Sequence, residues 1–235
     1  GPEEIYRRAR ELVGESDSLA GRRVLVTAGG TREPLDAVRF LGNRSSGRMG
    51  VALADEARRR GAAVTLLAAN LGVPVPRGVE VVDTPTAETM LEQALTHRDA
   101  DLVLMAAAVA DYRPVDRLTE KRPKNEQTWE ILLEPTADVL STLAEGRRNG
   151  QVLVGFAADR GEQGLERARE KLDRKRVDLV VYNDVSRDDI GFDAEDNEVV
   201  LVGTDGERRV AKAAKDRIAA AIVDAAEELL RERAG

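Results

Sequence analysis

Thr27-Ala28-Gly29-Gly30-Thr31-Arg32-Glu33-Pro34-Leu35-Asp36, continued through Arg39 to Asn43-Arg44-Ser45-Ser46-Gly47-Arg48-Met49-Gly50, is the stretch on which the fold turns. It leaves the apolar run Val24-Leu25-Val26 as a glycine-rich loop and re-enters order at a helix that Gly47 and Gly50 open. Strand, glycine loop and helix start are the order in which backbone N–H groups and a helix dipole gather around an anion, so a phosphate-bearing ligand is implied. A dinucleotide fingerprint is compact, G-x-G-x-x-G across one tight turn. Here a long polar insertion separates Gly29 from Gly47, and that insertion needs a different explanation.

Outward from this stretch the chain alternates. Val51, Leu53, Ala54 and Ala57 mark the inner face of a helix ending at Gly61, and Val64-Thr65-Leu66-Leu67 follows as a strand, completing a βαβ unit. After Pro74 and Pro76 come a strand at Val79 to Val82 and a helix from Thr86 to Thr96, with Thr86 placed to cap it and Glu88 in its first turn. Leu102 to Met105 is a further strand that runs into Ala106-Ala107-Ala108-Val109-Ala110-Asp111-Tyr112. Arg113 to Asn125, charged and broken by Pro114 and Pro123, reads as a mobile flap, with a short strand at Trp129 to Leu133 and a helix at Thr136 to Glu145 beyond it. Val152 to Phe156 and Leu179 to Tyr182 are core strands flanking a charged helix, Gly161 to Arg174, whose buried stripe is Leu165, Ala168 and Leu172. A hairpin through Asp205-Gly206 joins Glu198–Val202 to Arg208–Val210, and Lys212 to Glu232 is a long alanine-rich helix. Alternating β and α elements with an appended hairpin predict an α/β, doubly wound, mostly parallel sheet.

With 235 residues, 42% of them apolar, the chain has the material for one core. The amphipathic segment Glu3 to Val13 and the polar run Gly14 to Ser18 look like a linker, so residues 1–20 are expected to be the linker from a preceding domain and 21–235 the working domain. A net charge of −7 argues against a nucleic-acid surface. The lack of cysteine removes disulfides, thiolate nucleophiles and Cys-ligated metals, and fits a reducing cytoplasm. No apolar run approaches the roughly 18 residues of a membrane span.

If the sheet is parallel, four strand ends share one edge: Gly29-Gly30-Thr31, Ala107 to Asp111, Phe156-Ala157-Ala158 and Tyr182-Asn183. Each alone is also ordinary turn chemistry. Lys171 and Lys175, at i,i+4 on one helix, repel unless an anion sits between them; a solvated face screened by Glu170 and Asp173 is the other reading. Lys121, Arg122 and Lys124 in the flap likewise either neutralise charge in a closing site or are simply solvated. His97 is the only histidine and has no partner motif, which leaves no Ser-His-Asp set and no His-based metal site.

Taken together, the opening stretch, Ala107-Ala108-Val109-Ala110-Asp111-Tyr112, Gly155-Phe156-Ala157-Ala158 and Asn183-Asp184-Val185 resemble phosphopantothenoylcysteine synthetase, the second enzyme half of the bacterial bifunctional coenzyme A biosynthesis protein, over about residues 22 to 230. The resemblance implies a Rossmann-like cytoplasmic ligase that joins 4′-phosphopantothenate to cysteine with CTP and Mg2+ through an acyl-cytidylate. It further implies a homodimer, and normal fusion to a flavin-dependent decarboxylase domain, with no flavin in this chain. Carried over, Asn43 is similar to the asparagine that holds the acyl-cytidylate and Lys121 to the flap lysine, the two catalytic positions. Ala107, Asp111, Phe156, Lys171 and Lys175, with Lys121, fall at the nucleotide site. Gly29, Thr31, Asn43, Ser45, Ser46, Gly47 and Asn183 fall at the phosphopantothenate side. The resemblance favours the anion-binding reading of Lys171 and Lys175. One departure stands out: where the family flap reads Lys-x-Lys-Lys, this chain has Lys121-Arg122-Pro123-Lys124, with Arg122 able to supply the charge that Pro123 removes.

Two other functions compete. A nicotinamide-dependent reductase of the Tyr-x-x-x-Lys kind fails on the sequence, since none of Tyr6, Tyr112 or Tyr182 has lysine four residues on. A module that senses CTP without turning it over is the other.

Overall fold

The computed structural model describes residues 4–5, 14–185 and 196–234. The helix expected over 3–13 lies outside the described residues apart from Glu4 and Ile5.

One eight-stranded sheet carries the molecule. Its strands are β1 (Arg23–Gly29), β4 (Ala63–Ala69), β5 (Glu80–Asp83), β6 (Leu102–Met105), β9 (Val152–Asp159), β10 (Leu179–Asp184), β11 (Asp196–Gly203) and β12 (Gly206–Ala214), in the spatial order β12-β11-β10-β9-β6-β1-β4-β5. The six strands from β10 to β5 are parallel, and β11 and β12 are the expected antiparallel hairpin. Strand order reverses at β1, with β4 on one side and β6 on the other, and this is where an open α/β sheet forms its crevice.

Helices cover both faces, because a parallel sheet must bury both. On one face α1 (Arg48–Arg59) and α5 (Lys215–Ala234) pack through Leu53, Ala57, Ile218 and Ile222 onto Val24, Val26, Leu104 and Val181. On the other, α2 (Ala87–Thr96), α3 (Val139–Glu145) and α4 (Gly161–Lys175) bring Met90, Leu140 and Ala168 against Leu25, Val103 and Leu153. The strands read as near-continuous apolar runs because alternate residues enter different cores. Thr86 caps α2 in a full capping box with Thr89, and α1 begins at Gly47 in the left-handed conformation, φ 80°.

The long insertion is not an open loop. It folds into a two-stranded ribbon, β2 (Arg32–Pro34) with β3 (Phe40–Gly42), and its inner side is buried: Thr31 is 0% exposed, Glu33 3% and Asp36 3%. Glu33 Oε1 accepts from the N–H of Ala87 at 2.8 Å, which ties the ribbon to the start of α2. The expected strand at Trp129 to Leu133 is displaced: β8 is Leu133–Pro135 and pairs antiparallel with β7 (Tyr112–Pro114). The flap is therefore the segment from Val115 to Leu132, held on a three-residue ribbon. At the N-terminal end Leu19 is buried in the core and the Ser18 hydroxyl donates to Glu227 at 2.6 Å, so the packed domain begins a little ahead of the expected residue 21.

Candidate active site

A cleft of about 770 Å³ runs along the carboxyl edge of the sheet and is lined from β1's side by Asn43 to Gly50, across Ala106 to Asp111, to Phe156, α4 and Asn183. The four strand ends share this edge, as the parallel pairing requires, and three of them, Ala107 to Asp111, Phe156 to Ala158 and Asn183, line the cleft.

Its floor is a run of small residues whose amides are spoken for. Thr27 Oγ1 accepts from Ala107 N–H at 3.0 Å and Thr31 Oγ1 from Ala110 N–H at 2.8 Å. Between them Ala108 N–H donates to the Gly29 carbonyl at 2.8 Å, and Thr31 N–H to the Ala108 carbonyl at 3.2 Å. Thr136 closes the far side, its hydroxyl donating to the Ala110 carbonyl at 2.6 Å. This places Gly29 and Thr31 beneath the floor and not on its surface, a correction to the expectation that they touch ligand. Gly29, at φ 88°, lies so close to the Ala69 carbonyl that no side chain fits. Ala107 and Asp111 do line the cleft.

One wall is the start of α1. Asn43 Nδ2 donates to the Val109 carbonyl at 3.0 Å, which locks the amide against the floor and leaves its oxygen and second N–H to address a ligand. Ser45 Oγ accepts from Gly47 N–H at 3.3 Å. Gly47 gives α1 no side-chain cap, and the first turn carries no acidic residue, so the positive helix end faces the cleft beside Ser45 and Ser46.

The opposite wall is a cationic face of α4. Arg167, Lys171, Arg174 and Lys175 all line the cleft, at i, i+4, i+7 and i+8. Lys171 Nζ donates to the Phe156 carbonyl at 2.6 Å, and Lys175 pairs with Asp138, the residue whose Oδ1 caps α3 by accepting from Ser141 N–H at 2.9 Å. Arg167 donates to Asp159 at 2.6 Å. The Lys175 side chain is only 16% exposed, less than a freely solvated face would leave it. Burial pulls Lys171 below its ordinary pKa, helped by the like charge of Arg174 and opposed by Asp111. Burial does the same to Lys175, again against Asp111. Asp159 is held below the carboxylate range, chiefly by the hydrogen bond from Arg167. Arg167, Lys171 and Lys175 thus each rest on a protein acceptor that a more highly charged anion can displace.

Phe156 and Asn183 line the cleft as expected, β9 and β10 running past them to Asp159 and Asp184. Asn183 Oδ1 is buried without a hydrogen-bond partner. Lys121 does not line the cleft; it is exposed on the flap. Arg167, Arg174, Asp138, Asn197 and Lys215 line the cleft and were not expected there. The helical spacing of the α4 cations was a readable signal for the first two, and an aspartate before a helix for the third. Asn197 and Lys215 arrive through the return of β11 and the start of α5, and no local pattern announces them. Among the described residues no three carboxylate or histidine side chains converge as a metal site, and no helix is long and apolar enough to cross a membrane.

The profile of the DNA/pantothenate metabolism flavoprotein C-terminal domain family matches residues 19–230. The coenzyme A biosynthesis bifunctional protein CoaBC of Mycobacterium bovis is 43% identical over 241 residues, covering 95% of this chain and 57% of that protein. Its namesake in Bacillus subtilis is 40% identical over 213 residues, with 88% and 52% covered. The chain thus spans about half the length of these curated relatives. Among solved structures, the C-terminal domain of a CoaBC protein superposes with a TM-score of 0.79 at 36% identity, over 92% of this chain and all of the other.

Proposed function

The chain belongs to the family of the DNA/pantothenate metabolism flavoprotein C-terminal domain, and on that footing we propose that it is a phosphopantothenate–cysteine ligase of coenzyme A biosynthesis, using CTP. The observation that carries this is the cleft itself: an uncapped helix end and a face of four cations look at each other across a floor of small residues. A reductase site needs room for one pyrophosphate; two opposed cationic walls suit a triphosphate and a phosphorylated acid held together.

In this reading the triphosphate lies between α1 and α4, with Lys171 and Lys175 leaving the Phe156 carbonyl and Asp138 for phosphate oxygens. Asp111 takes the ribose hydroxyls, while Ala107 and Phe156 border the nucleotide. The phosphopantothenate carboxylate attacks the α-phosphorus, the bond to the bridging oxygen breaks, and pyrophosphate leaves. The cysteine amine then adds to the acyl carbon and CMP departs with the former carboxylate oxygen. Asn43, fixed by Val109, polarises the acyl or phosphoryl oxygen, and Ser45, Ser46, Gly47 and Asn183 hold the phosphopantothenate side. Lys121 brings a cation from the flap. Gly29 and Thr31 serve by holding the floor.

Mg2+ fits this site as a companion of the nucleotide. The cleft offers the separate carboxylates Asp111, Asp138 and Asp159, not a converged cage, and magnesium takes one or two carboxylates plus phosphate oxygens. When bound it neutralises triphosphate charge. We further propose that residues ahead of Ser18 link to a flavin-dependent decarboxylase domain, that the protein acts in the cytoplasm, and that it is a homodimer. The dimer reading is supported by exposed Val38, Phe40 and Tyr112 on the two ribbons and their turns, and by Ile131 and Leu132 at the end of the flap, all beside the site.

The test is pyrophosphate release by the purified chain with CTP, Mg2+, phosphopantothenate and cysteine, each omitted in turn. Release that needs CTP and phosphopantothenate is expected, with CMP following on cysteine. CTP binding without release would instead favour the sensing module. An Asn43→Ala variant is expected to keep its fold and lose the first half-reaction.

A further inference from the structure

The flap that carries Lys121 has a weak base. β7 and β8 pair over three residues each, too little to fix the loop between them. What reaches it from outside is Asp36, in the turn between β2 and β3. Its side chain is fully buried. Oδ1 accepts from the N–H groups of Val38 at 2.8 Å and Arg39 at 2.7 Å, which shapes the turn. Oδ2 does something else: it accepts from Arg39 Nη1 at 2.6 Å and from the backbone N–H of Arg122, in the flap, at 3.2 Å. The same Arg39 Nη1 donates to the Arg122 carbonyl at 3.2 Å, so the backbone of that residue is gripped at both its donor and its acceptor.

Three further contacts close the seam. Leu118 N–H donates to the Leu35 carbonyl at 3.1 Å. The Trp129 ring has the guanidinium of Arg122 5.0 Å and that of Arg39 5.5 Å from its centre, both within cation–π range. The backbone of a turn of this kind requires Oδ1 alone; the bond from Oδ2 to a residue 86 positions distant is not explained by local folding.

We infer that Asp36 is a positioning residue: through the Arg122 backbone it sets where the flap, and with it the neighbouring Lys121, is held beside the cleft. The role given to Lys121 rests on the ligase reading; the tether itself does not. This also gives meaning to the departure in the flap motif. Pro123 stiffens the chain directly after the gripped residue, and Arg122 occupies a docking position, which leaves the flap lysines Lys121 and Lys124 as the cations available to chemistry.

The experiment uses the full chain and two readouts that need no activity: amide hydrogen exchange over 115–132 and the emission of Trp129, the only tryptophan. In Asp36→Asn the amide keeps an acceptor for the turn but sets N–H against N–H at Arg122. The expected result is at least tenfold faster exchange confined to the flap, red-shifted Trp129 emission, and kcat down about ten- to a hundredfold with KM for CTP unchanged, since an ångström of misplacement costs on the order of 10² in rate. A second pair separates the tether from overall folding: Arg122→Pro removes the donated N–H together with the guanidinium, Arg122→Ala the guanidinium alone. Arg122→Pro is expected to loosen the flap well beyond Arg122→Ala. Native exchange and emission in Asp36→Asn, or equal effects of the two Arg122 variants, would overturn the inference. So would faster exchange spread through the sheet. A loosened flap in a chain whose wild type makes no pyrophosphate would leave the tether standing and remove the ligase reading instead.

Discussion

At Thr31 one hydroxyl decides where several residues of backbone lie. It is fully buried and receives the N–H of Ala110, so replacing it with valine keeps the shape and leaves a buried donor unpaired. A loss of about 1–3 kcal/mol is expected for Thr31→Val in urea unfolding, and little for Thr31→Ser. Asp36 makes the opposite statement about charge. Burial alone would raise its pKa, but the N–H groups of Val38, Arg39 and Arg122 and the charge of Arg39 outweigh burial and bring it down to about 2. A depressed carboxylate contributes fully above its unfolded value of about 3.9 and loses its contribution as pH falls through the folded value. Trp129 emission is therefore expected to stay flat from pH 7 to about 4 and to change below about 3. A transition centred near pH 5 would mean that another group governs the flap.

Among the elements, α1 and α4 show how packing and site are coupled. Gly50 sits where α1 crosses β1, and a Cβ there would meet the Thr27 carbonyl at 2.8 Å and collide with Ala28. Alanine is intrinsically better in a helix by about 1 kcal/mol. Overpacking costs about 1–3 kcal/mol, so Gly50→Ala is expected to destabilise despite its propensity, and a raised urea midpoint would refute the crowding argument. In α4 the cations do two jobs. Lys175 pairs with Asp138, and Asp138 caps α3, so Asp138→Ala is expected to cost about 1 kcal/mol of stability through the lost cap. Lys175→Ala touches no cap hydrogen bond. It is expected to weaken CTP binding about tenfold in calorimetry, the equivalent of one charge-assisted hydrogen bond net of the ion pair it already makes.

Across the entire fold, the ribbons and the end of the flap beside the cleft expose apolar side chains, Phe40 at 50% on β3 and Leu132 at 72% on the flap among them, on a surface otherwise rich in charge. If a second copy covers them, Phe40→Glu with Leu132→Glu yields a monomer in sedimentation with the sheet's thermal unfolding still cooperative. An unchanged sedimentation coefficient would move the dimer contact elsewhere. The ribbons lie next to the flap, so the same variant reports on whether assembly and flap function are linked.

The strands, the helices and their parallel arrangement were legible from apolar runs, helical periods and caps, because each is dictated by neighbours within a few positions. Thr86 as a cap, the hairpin at Asp205-Gly206 and the meeting of three strand ends in one cleft all followed in this way. What lay beyond reach was whatever depends on who meets whom across the fold. Thr31 meets Ala110 79 residues away, Asn43 meets Val109 at 66, and Asp36 meets Arg122 at 86. Those contacts put Thr31 beneath the floor as a support, gave the insertion a buried inner side, and tied down a flap. Local periodicity carries the burial of a side chain but not the partner of its polar atoms, and in this protein those distant partners set the floor and walls of the cleft.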